Sequence, residues 1–260
     1  MCLLVVAWKT HARYRLVVAA NRDEFHDRPA APLAWWTDDE RVLAGRDLQA
    51  GGTWMGVARS GRFGAVTNFR DLESQPVPGS PSRGSLVPRF LSADRDPGPF
   101  LDSLHPEASS YAGFNLLVGG TRNLYYYSNR GDDGPRELHA GVYGLSNHWL
   151  DSPWPKLVRT RHRFAAAIDG ADVDVESLFG LLADREPAPQ QPAEDEDGVP
   201  EGWRRALSAP FVRHDRYGTR CSTVVLAAYD GRMVVHERRF DATGGQTGAT
   251  RFEFDGSGPP

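Results

Sequence analysis

The chain has 260 residues, 40% of them apolar and 25% charged, with 27 glycines and 19 prolines. It is therefore turn-rich, below the glycine and proline content of disordered chains, and long enough for a sizeable core. Thirty basic residues against 34 acidic ones leave a net charge of −4, which gives no general pull toward nucleic acid or an anionic membrane.

The amino-terminal apolar run, Cys2–Trp8, is far shorter than the ~20 residues that cross a bilayer, so no transmembrane segment is expected. It also lacks the basic flank and cleavage site of a secretory signal. It reads as a strand paired with Tyr14–Ala20 through Lys9-Thr10-His11-Ala12. Thr53–Ala58 and Arg62–Asn68 form a second hairpin about Ser60-Gly61. Short helices are expected at Ser85–Leu91 and Phe100–Leu104, then strands at Phe114–Val118, Leu124–Tyr127 and Val142–Ser146.

Pro155–Ile168 carries a helical stripe of Leu157, Val158, Phe164, Ala165 and Ile168, with Arg159, Arg161 and Arg163 largely off it as a solvated face. Val175–Ala183 is a further helix, with Asp174 as its N-cap. Residues 187–202 are acidic, proline-rich and without apolar period, a solvated loop. Ser222–Tyr229 and Arg232–Arg239 flank Asp230-Gly231, a strong hairpin signal, and residues 255–260 read as a disordered tail. Hairpins alternating with helix pairs imply an α+β chain, its largely antiparallel sheets sandwiched by helices in one domain over 1–254. Two distant cysteines and no Asn-x-Ser/Thr sequon fit a reducing compartment, so a cytoplasmic location is expected.

Strand ends carry the chemistry. A turn centred near Thr10-His11 places Cys2 opposite Ala19 or Ala20, with Asn21-Arg22-Asp23-Glu24 starting one residue beyond. Asn68 closes the second hairpin, Asn147 ends another strand, and Arg220-Cys221 opens the last hairpin. Removal of Met1 would leave Cys2 with both a thiol and an α-amine titrating near ~7.7–8.0, a base for that thiol. Arg22 or Arg220 would favour the thiolate, and Asp23 would hold Arg22 or the amine. Amide groups of Asn68 and Asn147 suit an oxyanion, each donor being worth roughly 3–4 kcal/mol of barrier. Plainer readings stand beside these: Cys2 as a core residue, the tetrapeptide as an ion-paired turn, the asparagines as turn formers. Trp54 is either packing or part of a ligand wall. The eight histidines show no metal-binding spacing, although His26 or His148 offers an imidazole to a haem iron.

Met1-Cys2, Asn21-Arg22-Asp23-Glu24, Gly51-Gly52-Thr53-Trp54 and Thr67-Asn68-Phe69-Arg70 occur in that order. Ser82-Arg83-Gly84, Ser146-Asn147, Trp154-Pro155-Lys156 and Tyr217-Gly218-Thr219-Arg220 follow. The set resembles the NRDE family, also called the transport and Golgi organization 2 family, over most of the chain. That family is similar in turn to N-terminal-nucleophile hydrolases of the bile-salt hydrolase and penicillin V acylase type. The resemblance implies a four-layer αββα sandwich, with Cys2, Arg22, Asp23, Asn68, Asn147 and Arg220 at catalytic positions. Those hydrolases space their Arg and Asp three apart, whereas Arg22 and Asp23 are adjacent and should face opposite ways on a strand. Asn21 and Glu24 keep the three-residue spacing and stand as alternatives in a substrate-binding role, with Trp54. The implied function is hydrolysis of a C–N amide bond in a small molecule or acyl conjugate, with no cofactor required. The alternative is a non-enzymatic protein that binds or traffics haem or an acyl lipid in the same pocket.

Overall fold

The computed structural model describes residues 2–70, 79–188 and 201–257. The chain opens with the hairpin β1 (Cys2–Trp8) and β2 (Tyr14–Phe25). It then lays down β3 (Ala30–Trp35), β4 (Val42–Asp47), β5 (Met55–Ala58), β6 (Phe63–Asn68), β7 (Phe114–Gly119), β8 (Leu124–Ser128) and β9 (Arg136–Leu138). These seven strands form one sheet in chain order. Four more, β10 (Gly141–Leu145), β11 (Tyr217–Ala228), β12 (Arg232–Phe240) and β13 (Gln246–Asp255), join the first hairpin in the order β10-β1-β2-β11-β12-β13. The pairings within both sheets are antiparallel.

Side-chain alternation sorts the apolar residues into three layers of core. Leu4, Val6, Leu16 and Val18 of the first sheet meet Leu43, Val57, Phe63 and Leu117 of the second. The opposite face of the first sheet, with Val5, Val17 and Val224, packs against α3 (Pro155–Ala167) and α4 (Val175–Leu182) through Phe164, Leu178 and Leu182. The outer face of the second sheet is covered by α1 (Leu86–Leu91) and α2 (Pro97–Leu104), where Phe90 and Leu101 meet Leu116 and Val118. The result is the four-layer αββα sandwich.

The local chemistry agrees with several expected elements. Asp174 caps α4, its carboxylate accepting from Glu176 N and Ser177 N, each at 3.1 Å. Gly231, at φ +94°, makes the tight β11–β12 turn. In α3 the buried stripe is Lys156, Leu157, Thr160 and Phe164, while the expected Val158 is exposed.

Other elements depart from expectation. The β1–β2 connection does not centre on Thr10-His11. His11 Nδ1 accepts from Arg13 N (3.0 Å) and Tyr14 N (3.2 Å), and Lys9, at φ 53°, donates its N–H to Arg15 O at 2.8 Å. The loop therefore centres on Ala12, and Trp8 pairs with Leu16. As a consequence β2 runs on through Phe25 and absorbs the polar tetrapeptide. Strands β3, β4, β9 and β13 carry weak signals: Pro32 sits at a bulge of edge strand β3, and β13 alternates between exposed and half-buried side chains. Most of the acidic loop lies outside the described residues, but residues 201 and 202 belong to α5 (Glu201–Leu207). Likewise β13 continues through Asp255, where a frayed tail was expected to begin.

Among the described residues no helix is long and apolar enough to cross a membrane. Phe63→Ala, in the layer between the sheets, should lower unfolding free energy by about 3–5 kcal/mol in urea titration.

Candidate functional site

Because the turn centres on Ala12, Cys2 lies opposite Arg22, not Ala19 or Ala20. Even-numbered residues of β1 and β2 face the space between the sheets, so Cys2, Arg22 and Glu24 continue the row of Leu4, Val18 and Ala20. That space opens at this end into a cavity of about 650 Å³, lined by Cys2, Arg22 and Glu24 and by Trp54, Asn68 and Arg220 from other elements. On the far side of Arg22, Cys221 takes the equivalent position in β11. One rim does gather most of the expected residues.

Odd-numbered residues face the helices. Asn21 is fully buried there, its Nδ2 donating to Leu182 O (2.8 Å) and Pro210 O (2.9 Å), while its Oδ1 accepts from Ser222 Oγ (2.6 Å). Those bonds occupy its side chain in holding helix and loop against the sheet. Asp23 follows the same alternation, and its Oδ1 accepts from Thr219 Oγ1 at 2.7 Å. One residue past the Cys2–Arg22 pair, it also reaches the cavity rim. The adjacency of Arg22 and Asp23 thus distributes them to two faces of one strand end.

Cys2 is held through its backbone. Its N–H donates to Asn147 Oδ1 at 3.0 Å, and its carbonyl accepts from Ser146 Oγ at 2.8 Å. The Asn147 amide donates in turn to Asn68 O at 2.9 Å, so its side chain is engaged at both ends. The side chain of Asn68, at the exposed end of β6, lines the cavity. Burial pushes the Cys2 thiol up, opposed by the charge at the amino terminus, by the Asp23 backbone N–H and by Arg22, with the Asp23 carboxylate adding to the rise.

The carboxyl of Asp23 is pushed up to about 6, first by burial, against the pull of the amino terminus, Lys156, the Thr219 hydroxyl and Arg22. Arg22 Nη1 is buried without a hydrogen-bond partner among the described residues, and Nη2 lies 3.7 Å from Glu24 Oε2. Glu24 also approaches Arg28 Nε at 3.8 Å.

Arg220 is the extra residue of a β-bulge between Thr219 and Cys221, which re-aims its side chain. Its Nη1 donates to Phe25 O (2.7 Å) and Arg28 O (3.1 Å), tying down the turn after β2.

Several residues that no strand-end argument singled out also belong to the site. Arg83 lines the cavity while donating to Gly113 O at 3.0 Å. It is set there by the close approach of Gly52 to Gly84, where a Cβ on Gly52 would lie 2.3 Å from Gly84 O. Glu237 is buried on β12 and accepts from Leu33 N of the other sheet at 2.9 Å. Lys156 is buried near Cys2 and Asp23, with burial lowering its ammonium. For Arg83 and Lys156 the available signal was the motif that contains each.

Among the described residues, no histidine lines this cavity. His26 Nε2 lies 3.0 Å from His214 O, and His148 Nδ1 lies 2.9 Å from Ser152 Oγ. The cavity wall therefore supplies no imidazole to a haem iron. Among the described residues no group of three His, Cys, Asp or Glu side chains could hold a metal ion.

The chain belongs to the Transport and Golgi organisation 2 family, whose model matches residues 1–242. It is 35% identical over 240 residues to the Mus musculus Transport and Golgi organization 2 homolog, covering 86% of each chain. It is 37% identical over 241 residues to the Bos taurus homolog, again covering 86% of each. Among solved structures, the mutant C2A conjugated bile acid hydrolase from Clostridium perfringens has a similar fold. It aligns with a TM-score of 0.52 and 8% identity over 100% of this chain and 95% of that one.

Asn21→Ala should destabilise the protein by about 3 kcal/mol in urea unfolding, because three buried polar partners lose their bond. A change below about 0.5 kcal/mol, the level of an ordinary surface substitution, would contradict its structural assignment.

Proposed function

We propose that this family member is an N-terminal-nucleophile hydrolase acting on a C–N amide bond of a small molecule or acyl conjugate that carries an acidic group. One observation carries the reading: Cys2 lines the cavity, on the strand face that looks between the sheets, while its main-chain nitrogen is fixed 3.0 Å from Asn147 Oδ1. Once Met1 is removed, that nitrogen is an α-amine held next to the thiol. The likeness to a conjugated bile acid hydrolase supports the reading only as an analogy of fold.

Burial leaves the Cys2 thiol protonated near neutral pH, so attack needs a local base. The amine takes the thiol proton, and the sulfur adds to the amide carbonyl. In this reading the Asn68 side-chain amide donates to the oxyanion, since Asn68 lines the cavity and the amide of Asn147 is committed to Cys2 N and Asn68 O. Collapse breaks the C–N bond, with the ammonium returning its proton to the leaving nitrogen, and leaves a thioester on Cys2. Water, activated by the same amine, then releases the acid. The Arg22 guanidinium, on the cavity face beside Cys2, suits an acidic group on the substrate.

Processed protein incubated with a panel of N-acyl amino acids should release amine and show an acyl adduct on Cys2 by intact mass. Cys2→Ala should lower turnover at least ~10³-fold. Retention of turnover in that variant, or of Met1 in active protein, contradicts the reading.

The pH profile carries a second expectation. An acid whose folded pKa is raised to about 6 keeps its proton up to that pH, so Asp23 is a carboxylate only above it. If the carboxylate steadies the amine, the fall of kcat/KM that protonation of the amine already causes should steepen by a further ~tenfold per unit below pH 6, and Asp23→Asn should remove that added steepness.

A further inference from the structure

Lys156 is one of only two lysines in the chain, and it is buried. It occupies the second position of α3, at the positive end of the helix dipole, where an ammonium is disfavoured. Burying it there costs free energy that something must offset. Its Nζ donates to Leu207 O at 2.7 Å, and a carbonyl carries no charge. The start of α3 is seated on the start of β1, where Trp154 and Leu157 pack against Leu3. Lys156 thus lies over the helix-facing side of the Cys2 strand end, the side that also holds the Asp23 carboxylate through Thr219.

We propose that Lys156 is a positioning residue for the nucleophile: its ammonium offsets the Asp23 carboxylate beside the Cys2 sulfur, so that the thiol can give up its proton inside a buried site. The proposal rests on the reading of Cys2 as the nucleophile. Among the described residues, the groups acting most strongly on the charge of Lys156 are Asp23 from β2, Cys2 from β1 and Arg70 from the segment after β6. Asp23 in turn is acted on by the amino terminus, Lys156 and Arg22. Of the groups acting on Lys156, Asp23 has the largest electrostatic effect, and Lys156 in turn lowers the carboxyl of Asp23. Ionisation of Asp23 without a cation would leave two negative groups, carboxylate and thiolate, in one low-dielectric corner. Arg22 and Lys156 therefore act on the sulfur from opposite faces of the sheet, Arg22 from the cavity and Lys156 from the helix side.

The test uses the full chain and the rate of iodoacetamide alkylation at Cys2 as a function of pH, read by mass spectrometry so that Cys221 is counted separately. Lys156→Met should raise the alkylation midpoint of Cys2 by about one pH unit, and Lys156→Arg should leave it near that of the parent protein. Asp23→Asn should lower the midpoint. The double variant Asp23→Asn/Lys156→Met should return it close to the parent value, a rescue that a purely structural lysine would not give. If Lys156→Met does not fold, the double variant must still titrate above Asp23→Asn alone. A Lys156→Met profile that superimposes on the parent, or a double variant no better than Lys156→Met, overturns the proposal. Alkylation reports thiol ionisation and not turnover, so these shifts without amide hydrolysis would remove the reaction and leave the role of Lys156 standing.

Discussion

Antiparallel pairing of β1 with β2 in a register that sets Cys2 opposite Arg22 governs everything the amino-terminal sulfur faces. Side chains alternate along a strand and directly paired residues share a face, so a slip of one residue would pair Cys2 with Asn21 or Asp23 and either turn the sulfur toward α3 or take Arg22 off the cavity face. The register is fixed at the far end of the hairpin, where the His11 imidazole takes two backbone donors and sets the loop. It is held along its length by Leu4, Val6, Val18 and Ala20, all at 0–1% exposure between the sheets. The site geometry is thus a consequence of core packing and of one side-chain-capped turn some distance away.

The strand end divides its polar residues by face. Arg22 and Glu24 look into the cavity, while Asn21 and Asp23 make their bonds on the helix side, to Leu182, Pro210, Ser222 and Thr219, with Asp23 also reaching the cavity rim. The cavity face can meet a ligand, and the helix face anchors the strand. Burial works against ionisation of Cys2 and Asp23 alike, so the surrounding cations and the Thr219 hydroxyl decide which charges exist at neutral pH. The bulge at Arg220 serves the same end from β11, spending its guanidinium on the carbonyls of the β2–β3 turn.

Much of this was readable from residues alone. Alternation and turn chemistry identified both central hairpins and the β11–β12 pair, and strand ends brought Cys2, Arg22, Asn68 and Arg220 to one rim. The register was misread because a side-chain imidazole, rather than a glycine or asparagine turn, closes the first loop. Strands β3 and β13 escape because edge and half-exposed strands need little apolar alternation, and β4 because its apolar run is only Val42-Leu43-Ala44 before Gly45-Arg46-Asp47. Lys156 was hidden by its helix: periodicity placed Leu157 and Val158 on the buried stripe, whereas tertiary packing buries Lys156 and Thr160 and exposes Val158. Nothing local distinguishes a buried lysine from a surface one.

The central claim is that the Cys2 sulfur and the Arg22 guanidinium share one solvent-accessible chamber. A crystal structure of the processed protein after treatment with iodoacetate tests it directly, since the reagent places a carboxylate two bonds from the alkylated sulfur. The account predicts a carboxymethyl group on Cys2, inside the cavity between the sheets, with its carboxylate within hydrogen-bonding distance of the Arg22 guanidinium. An unmodified Cys2 sealed in apolar packing, or a carboxymethyl group turned away from Arg22 toward the helix layer, would contradict it.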